Sequence, residues 1–145
     1  MKITVENLPE GAEEEIIIRC NHIDDGTLKL ISALATGRKQ ITAYYKNEVM
    51  KLNFKDIFYF ESVDNKVFAY CEKDILEVRK KLYELEQLFN GLDFVRISKA
   101  MIVNITKIKK VVPIFNGRLE AILLNGEKVI ISRKYVPVLK KALGI

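Results

Sequence analysis

"VVPIFNGRLEAILLNGEKVIIS", residues 111–132, carries two Asn-Gly pairs, Asn116-Gly117 and Asn125-Gly126, each set between apolar, β-branched runs. Asn and Gly tolerate the positive φ angles that both central positions of a type I′ hairpin require. The stretch therefore predicts a three-stranded antiparallel meander. Working back along the chain, "DIFYFES" (56–62) and "VFAYCE" (67–72) read as strands paired across an Asp64-Asn65 turn. "ITAYYKN" (41–47) and "EVMKLNF" (48–54) add two more runs of aromatic and β-branched residues. The expected class is mostly β, of the α+β kind.

Two helices interrupt the strands. In "DILEVRKKLYELEQLFNG" (74–91), Ile75, Val78, Leu82, Leu85 and Phe89 fall on one stripe at helical spacing, with Asp74 and Glu77 as a start signal and Asn90-Gly91 as a stop. "KYVPVLKKALG" (134–144) predicts a C-terminal amphipathic helix with Pro137 in its first turn. At the other end, residues 2–6 and the run "EEEIIIRC" (13–20) predict strands around a turn at 7–11. A short helix in "TLKLISALA" (27–35) completes a small β-β-α extension. Gly37 and the charges after it mark the expected boundary, giving an extension over 1–40 and a main domain over 41–145.

Length and composition narrow the function classes. At 145 residues, 49% hydrophobic and 30% charged, the chain has the makings of one globular core. No apolar run reaches the roughly 18 residues of a membrane span, and the N-terminus has no secretory h-region, so a cytoplasmic location is expected. Cys20, Cys71 and the single His22 are too few for a disulfide framework or a zinc site. Glycine-rich phosphate loops, HExxH and GxSxG are all missing. No enzyme, cofactor, metal or small-molecule substrate is expected.

Charge is the informative quantity. Residues 1–30 hold three Lys/Arg against seven Asp/Glu, so the rest of a chain of net charge +5 carries +9. Residues 94–145 alone hold eleven Lys/Arg against Glu120 and Glu127. Such asymmetry suits a polyanionic partner, although ordinary solvated lysines give the same composition. Lys66, Arg96, Lys99, Arg133 and Lys134 sit at expected turns and strand ends, where side chains can project together from one edge of a sheet.

In order and spacing, "DIFYFES", "VFAYCE", "LYELEQL", "FVRISKAMIVN" and "NGEKVIISRKYVPVLKKAL" resemble the LytTR family of bacterial DNA-binding domains, over roughly residues 41–145. The resemblance implies an elongated β fold that inserts loops into successive major grooves of double-stranded DNA. Carried over by position, Lys66, Lys99 and Lys134 would read bases, with Arg96 and Arg133 holding phosphates beside them. Ala100 stands where the family usually has Ser, and Lys99 replaces the commoner Arg or Asn. The resemblance also implies a short regulator without a receiver domain, acting as a homodimer, with a membrane-protein partner as a further candidate. Two other readings stay open: a protein-interaction module docking its basic strips on an acidic or anionic surface, and an RNA binder stacking bases on Tyr44, Tyr45, Tyr59 or Tyr70.

Overall fold

The computed structural model describes residues 2–35, 40–89 and 93–145. Its elements are α1 (Asp25–Ala35), β1 (Gln40–Tyr45), β2 (Glu48–Asn53), β3 (Ile57–Val63), β4 (Lys66–Cys71), β5 (Ile75–Val78) and α2 (Leu82–Leu88). There follow β6 (Phe94–Ser98), β7 (Met101–Asn104), β8 (Ile108–Pro113), β9 (Leu119–Leu123), β10 (Lys128–Ile131) and α3 (Val136–Leu143). Seven strands form one sheet in the order β2-β1-β5-β4-β3-β7-β6, and β10-β9-β8 form a second; every pairing is antiparallel.

The mostly β class and the C-terminal meander are as the sequence predicts. Asn116 (φ 64°) and Gly117 (φ 71°) supply the two left-handed residues of the first turn. The second turn differs: only Gly126 (φ 89°) is left-handed, and the Gly126 amide bonds back to the Leu123 carbonyl at 2.9 Å. Leu124 lengthens that loop to three residues, for which one glycine suffices.

A larger departure lies in residues 74–89, where the single expected helix is a strand followed by a shorter helix. Leu76 and Val78 are buried while Ile75 faces water, a period of two, and β5 pairs with β4 from Val67↔Val78 to Tyr70↔Ile75. A cross-strand ladder outweighs helical spacing where the residues concerned are β-branched. The helix begins only after Arg79-Lys80-Lys81, and the Glu84 carboxylate accepts the Lys81 amide at 3.0 Å. The expected stop at Asn90-Gly91 lies outside the described residues, as does the expected boundary at residues 37–40 except for Gln40, which opens β1.

The two N-terminal strands are also missing: residues 2–8 and 12–20 join no strand ladder, and only α1 of the β-β-α extension forms. A strand needs a partner ladder to satisfy its backbone, and among the described residues no strand of either sheet pairs with this segment.

The large sheet is packed on both faces. On one, Ile41, Ile57, Phe60, Val67, Val78 and Ile102 meet Leu82, Leu85 and Phe89 of the α2 region. Phe89 stacks on Phe94 at 4.2 Å and meets Phe54 edge-on at 4.8 Å. On the other, Phe58, Tyr59, Ile97 and Val103 meet β9, β10 and Leu139 of α3. Strand β3 thus feeds both cores, and the β3–β4 register shifts between Ile57 and Tyr59. Strict alternation would put Ile57 and Tyr59 on one face; the bulge instead turns the adjacent Phe58 and Tyr59 to the same core.

Asn104 stands at that bulge and is 2% exposed. Its Nδ2 donates to the Ile57 carbonyl at 2.9 Å, and its Oδ1 accepts from the Thr106 amide (3.0 Å) and hydroxyl (2.7 Å). The side chain fixes the bulge and caps the 3-10 turn Ile105–Lys107 that leads into the second sheet. Asn104→Ala should cost about 1–3 kcal/mol, because buried partners lose their bonds. A lowered urea midpoint with faster hydrogen exchange at the Thr106 amide would register it.

Candidate nucleic-acid interface

The registers of the large sheet decide which turns lie together. Glu61↔Met101 and Tyr59↔Val103 pair β3 with β7, so the β6–β7 turn lies at the same end of the sheet as the β3–β4 turn. The Ser62 amide donates to the Ala100 carbonyl at 2.8 Å, joining the two turns. The Ser132 amide and hydroxyl both donate to the Ile97 carbonyl, at 2.9 and 3.2 Å, which brings the end of β10 to the same place. Three segments far apart in sequence therefore present Lys66, Lys99 and Arg133-Lys134 at one end of the molecule.

Each turn has a local cause. Asp64 (φ 51°) and Asn65 (φ 64°) form a two-residue hairpin that delivers exposed Lys66 as the first residue of β4, opposite Val63. The β6–β7 turn is built around Arg96. Its Nε donates to the Ser98 carbonyl at 2.6 Å, one Nη to the Lys99 carbonyl, and the other Nη to the Glu86 carboxylate at 2.8 Å. The Arg96 side chain is only 17% exposed and its charge is compensated, whereas Lys99 at the tip is exposed. Arg96 thus clamps the turn that carries Lys99.

Arg133 and Lys134 lie exposed on the 3-10 turn Arg133–Tyr135. Lys134 Nζ stands 5.6 Å from the Tyr135 ring centre. The stem of Arg133 lies against Gly117, where an added Cβ would come within 3.2 Å of Arg133 Cδ. Glycine there satisfies both the left-handed backbone and the close approach, and it seats the β8–β9 hairpin tip beside Arg133.

Sequence reasoning left out Arg79-Lys80-Lys81, which it had enclosed in a helix. The pairing Val67↔Val78 places this run next to Lys66, and Lys66, Arg79, Lys80 and Lys81 line one open cavity of about 250 Å³. Arg79 is held 3.8 Å above the Tyr44 ring and 3.8 Å from the Glu77 carboxylate. Among the described residues, Lys66, Lys80, Lys99 and Arg133 enter no ion pair. The end of the sheet gathers exposed cations on closed turns, with Glu77 and Glu84 also lining the cavity beside Lys66, and this excess of cations suits an extended polyanion.

Of the four tyrosines offered as stacking platforms, Tyr45 is exposed with Lys46 Nζ 5.4 Å from its ring centre, Tyr44 lies under Arg79, and the other two are occupied by each other. Tyr59 and Tyr70 stack on each other at 4.4 Å, and the Tyr70 hydroxyl donates to Glu61 at 3.1 Å. Burial first, then that bond to Glu61, raises the Tyr70 pKa. Burial, with Asp74 and Asp56 adding to it, pushes the Cys71 thiol up to about 11, so it stays protonated near neutral pH. Among the described residues, no cluster of His, Cys, Asp and Glu could hold a metal, and no helix is long and apolar enough to cross a membrane.

Residues 47–144 match the family described as the LytTr DNA-binding domain. The solved LytTr DNA-binding domain from Bacillus cereus superposes with a TM-score of 0.71 at 27% identity, over 75% of this chain and all of that one. The sensory transduction protein LytT of Bacillus cereus is 32% identical over 100 residues, 69% of this chain and 41% of that protein. The LytT of Enterococcus faecalis is 31% identical over 91 residues, 63% and 38%. The chain thus spans about two-fifths of the length of the LytT proteins it matches. An uncharacterized HTH-type transcriptional regulator of Staphylococcus aureus is 28% identical over 147 residues, covering 100% of this chain and 99% of that one. In the present chain, the described helices are separated from one another by strands rather than paired as a helix-turn-helix.

Arg96→Ala removes the clamp from three acceptors, and bonds from a charged donor are each worth about 1.5–3 kcal/mol. The expected result is a lowered melting temperature with raised mobility of Lys99 and Ala100 in backbone relaxation measurements, and Arg96→Lys should restore neither.

Proposed function

Because this chain belongs to the family of LytTr DNA-binding domains, we propose that it is a transcriptional regulator that recognises a specific duplex DNA sequence through basic turns set into successive major grooves. The observation that carries this reading is the convergence of Lys66, Lys99 and Lys134 at one end of the sheet, enforced by the Ser62–Ala100 and Ser132–Ile97 hydrogen bonds. In this reading, these three lysines reach base edges. Arg133 and the Arg79–Lys81 run hold phosphates on either side, and Arg96 positions Lys99 from within the protein. Lysine presents one point charge where arginine would present a fork, so base discrimination at Lys99 comes from placement rather than bidentate pairing.

Selection from random duplex DNA tests the reading directly, an enriched motif being the expected result. Lys99→Ala and Lys134→Ala should weaken binding to the selected site by about 1–3 kcal/mol and leave binding to scrambled duplex nearly unchanged. Equal losses on both would reassign the lysines to phosphate contact. With no enriched motif and only weak duplex binding at physiological salt, the basic strips would instead serve an acidic protein or an anionic surface.

Residues 1–40 form the second part of the proposal, as a dimerising or regulatory extension to the DNA-binding domain of residues 41–145. Ile3 and Val5 are 84% and 87% exposed, Ile16, Ile17 and Ile23 are exposed too, and Leu28, Ile31 and Leu34 of α1 leave an apolar face in water. None of these residues belongs to either core. Unpaired β-branched backbone beside an apolar helix is a surface that a second copy of the chain could complete, giving a homodimer on paired half-sites. Deleting residues 1–35 should turn a dimer into a monomer in sedimentation and flatten cooperative binding to paired sites. If the full chain is already monomeric, the segment is free for another protein, a membrane-protein regulator included.

A further inference from the structure

The β8–β9 hairpin ends in Phe115, a residue that is 85% exposed. Scattered apolar residues on a surface need no explanation, but this one has a fixed seat and a charged neighbourhood. The tip is closed by the Ile114 amide donating to the Arg118 carbonyl at 3.0 Å, and Arg118 Nε donates to the Phe115 carbonyl at 3.2 Å. Asn116 and Gly117 are left-handed, and Gly117 rests against the stem of Arg133. The ring is therefore held at the tip of a rigid hairpin, with Arg118 on its own turn and Arg133-Lys134 on the turn beside it.

We infer that Phe115 is an apolar DNA-contacting residue that buries its ring against the bases of the duplex next to the position reached by Lys134, an inference that rests on the DNA-binding reading above. Cations on both adjoining turns draw a phosphate-bearing partner to this spot, and an aromatic ring among them meets base edges and thymine methyl groups in the groove once the backbone is docked. A symmetric contact with a second copy fits poorly. It would bring Arg118 and Arg133 of one protomer against the same residues of its partner, and a lone ring lacks the area of a stable interface. Apolar burial adds affinity without releasing counterions, whereas each phosphate contact contributes about 0.9 to the slope of log K against log salt. That difference separates a contacting ring from one that merely holds Arg118 and Arg133 in place.

The test uses the full chain and the duplex returned by the selection, titrated over a series of salt concentrations. Phe115→Ala should weaken binding by about ten-fold, the scale of partly burying one Phe side chain, with an unchanged salt slope and melting temperature. Phe115→Leu should fall between, and it carries the comparison should the alanine variant prove unstable. Three results overturn the inference: wild-type affinity in both variants, a salt slope reduced by one or more, or a change in oligomeric state without a change in DNA affinity. A wild-type chain that enriches no duplex overturns it together with its premise, and that failure is visible before any variant is made.

Discussion

Strand β3 serves two cores at once, and the bulge between Ile57 and Tyr59 is what sends two adjacent aromatics, Phe58 and Tyr59, into one of them. A regular strand shows alternate residues to opposite faces, so two adjacent aromatics cannot enter the same core. With the extra residue, Phe58 and Tyr59 pack toward the small sheet and α3, while Ile57 and Phe60 pack toward α2. A bulge leaves backbone groups off the ladder, and Asn104 takes up the Ile57 carbonyl. The same side chain holds Thr106, so the step between the strands of the two sheets and the face-switch in β3 share one buried amide.

From that arrangement follows the location of the cations. Once β7 is registered on β3 and β10 is tied to β6, the turns at one end have nowhere else to go. Gathering like charges destabilises a folded protein slightly, and that cost is small while the side chains stay in water. The inward-turned Arg96 is compensated by Glu86 and two carbonyls, and the exposed Arg79 lies over the Tyr44 ring near Glu77. The exposed lysines are left uncompensated. The division between the paired, inward Arg96 and the outward Lys66, Lys99, Arg133 and Lys134 separates scaffold from candidate contact surface.

The N-terminal segment obeys a different balance. Its isoleucines and leucines belong to neither core of the described residues, and a β-branched run without a neighbour forms no ladder. Helix α1 forms because its hydrogen bonds are internal and Asp24 caps it, the carboxylate accepting the Thr27 amide at 2.8 Å. That local bond also holds the Asp24 carboxyl below its usual range. Helices can form without a partner where strands cannot, which is why one of three expected elements is present.

Local chemistry was legible in the sequence: the Asn116-Gly117 and Asp64-Asn65 hairpins, the Pro137 helix start, the basic C-terminal half, and a spaced set of motifs sufficient to suggest the family. Features that depend on partners were not. Residues 75–89 fit a helical stripe, and only the neighbouring strand β4 makes the first of them a strand. Phe115 reads as the last apolar residue of a strand, and only the hairpin's closure puts its ring in water. Arg96 and Lys99 look alike as cations three residues apart, but Glu86, on a separate element, turns one inward and leaves the other out. The sequence by itself determined turns, caps and charge, because these depend on residues close together along the chain. Only the tertiary structure decided pairing, face and which cations are free, because those depend on the residues that folding brings alongside.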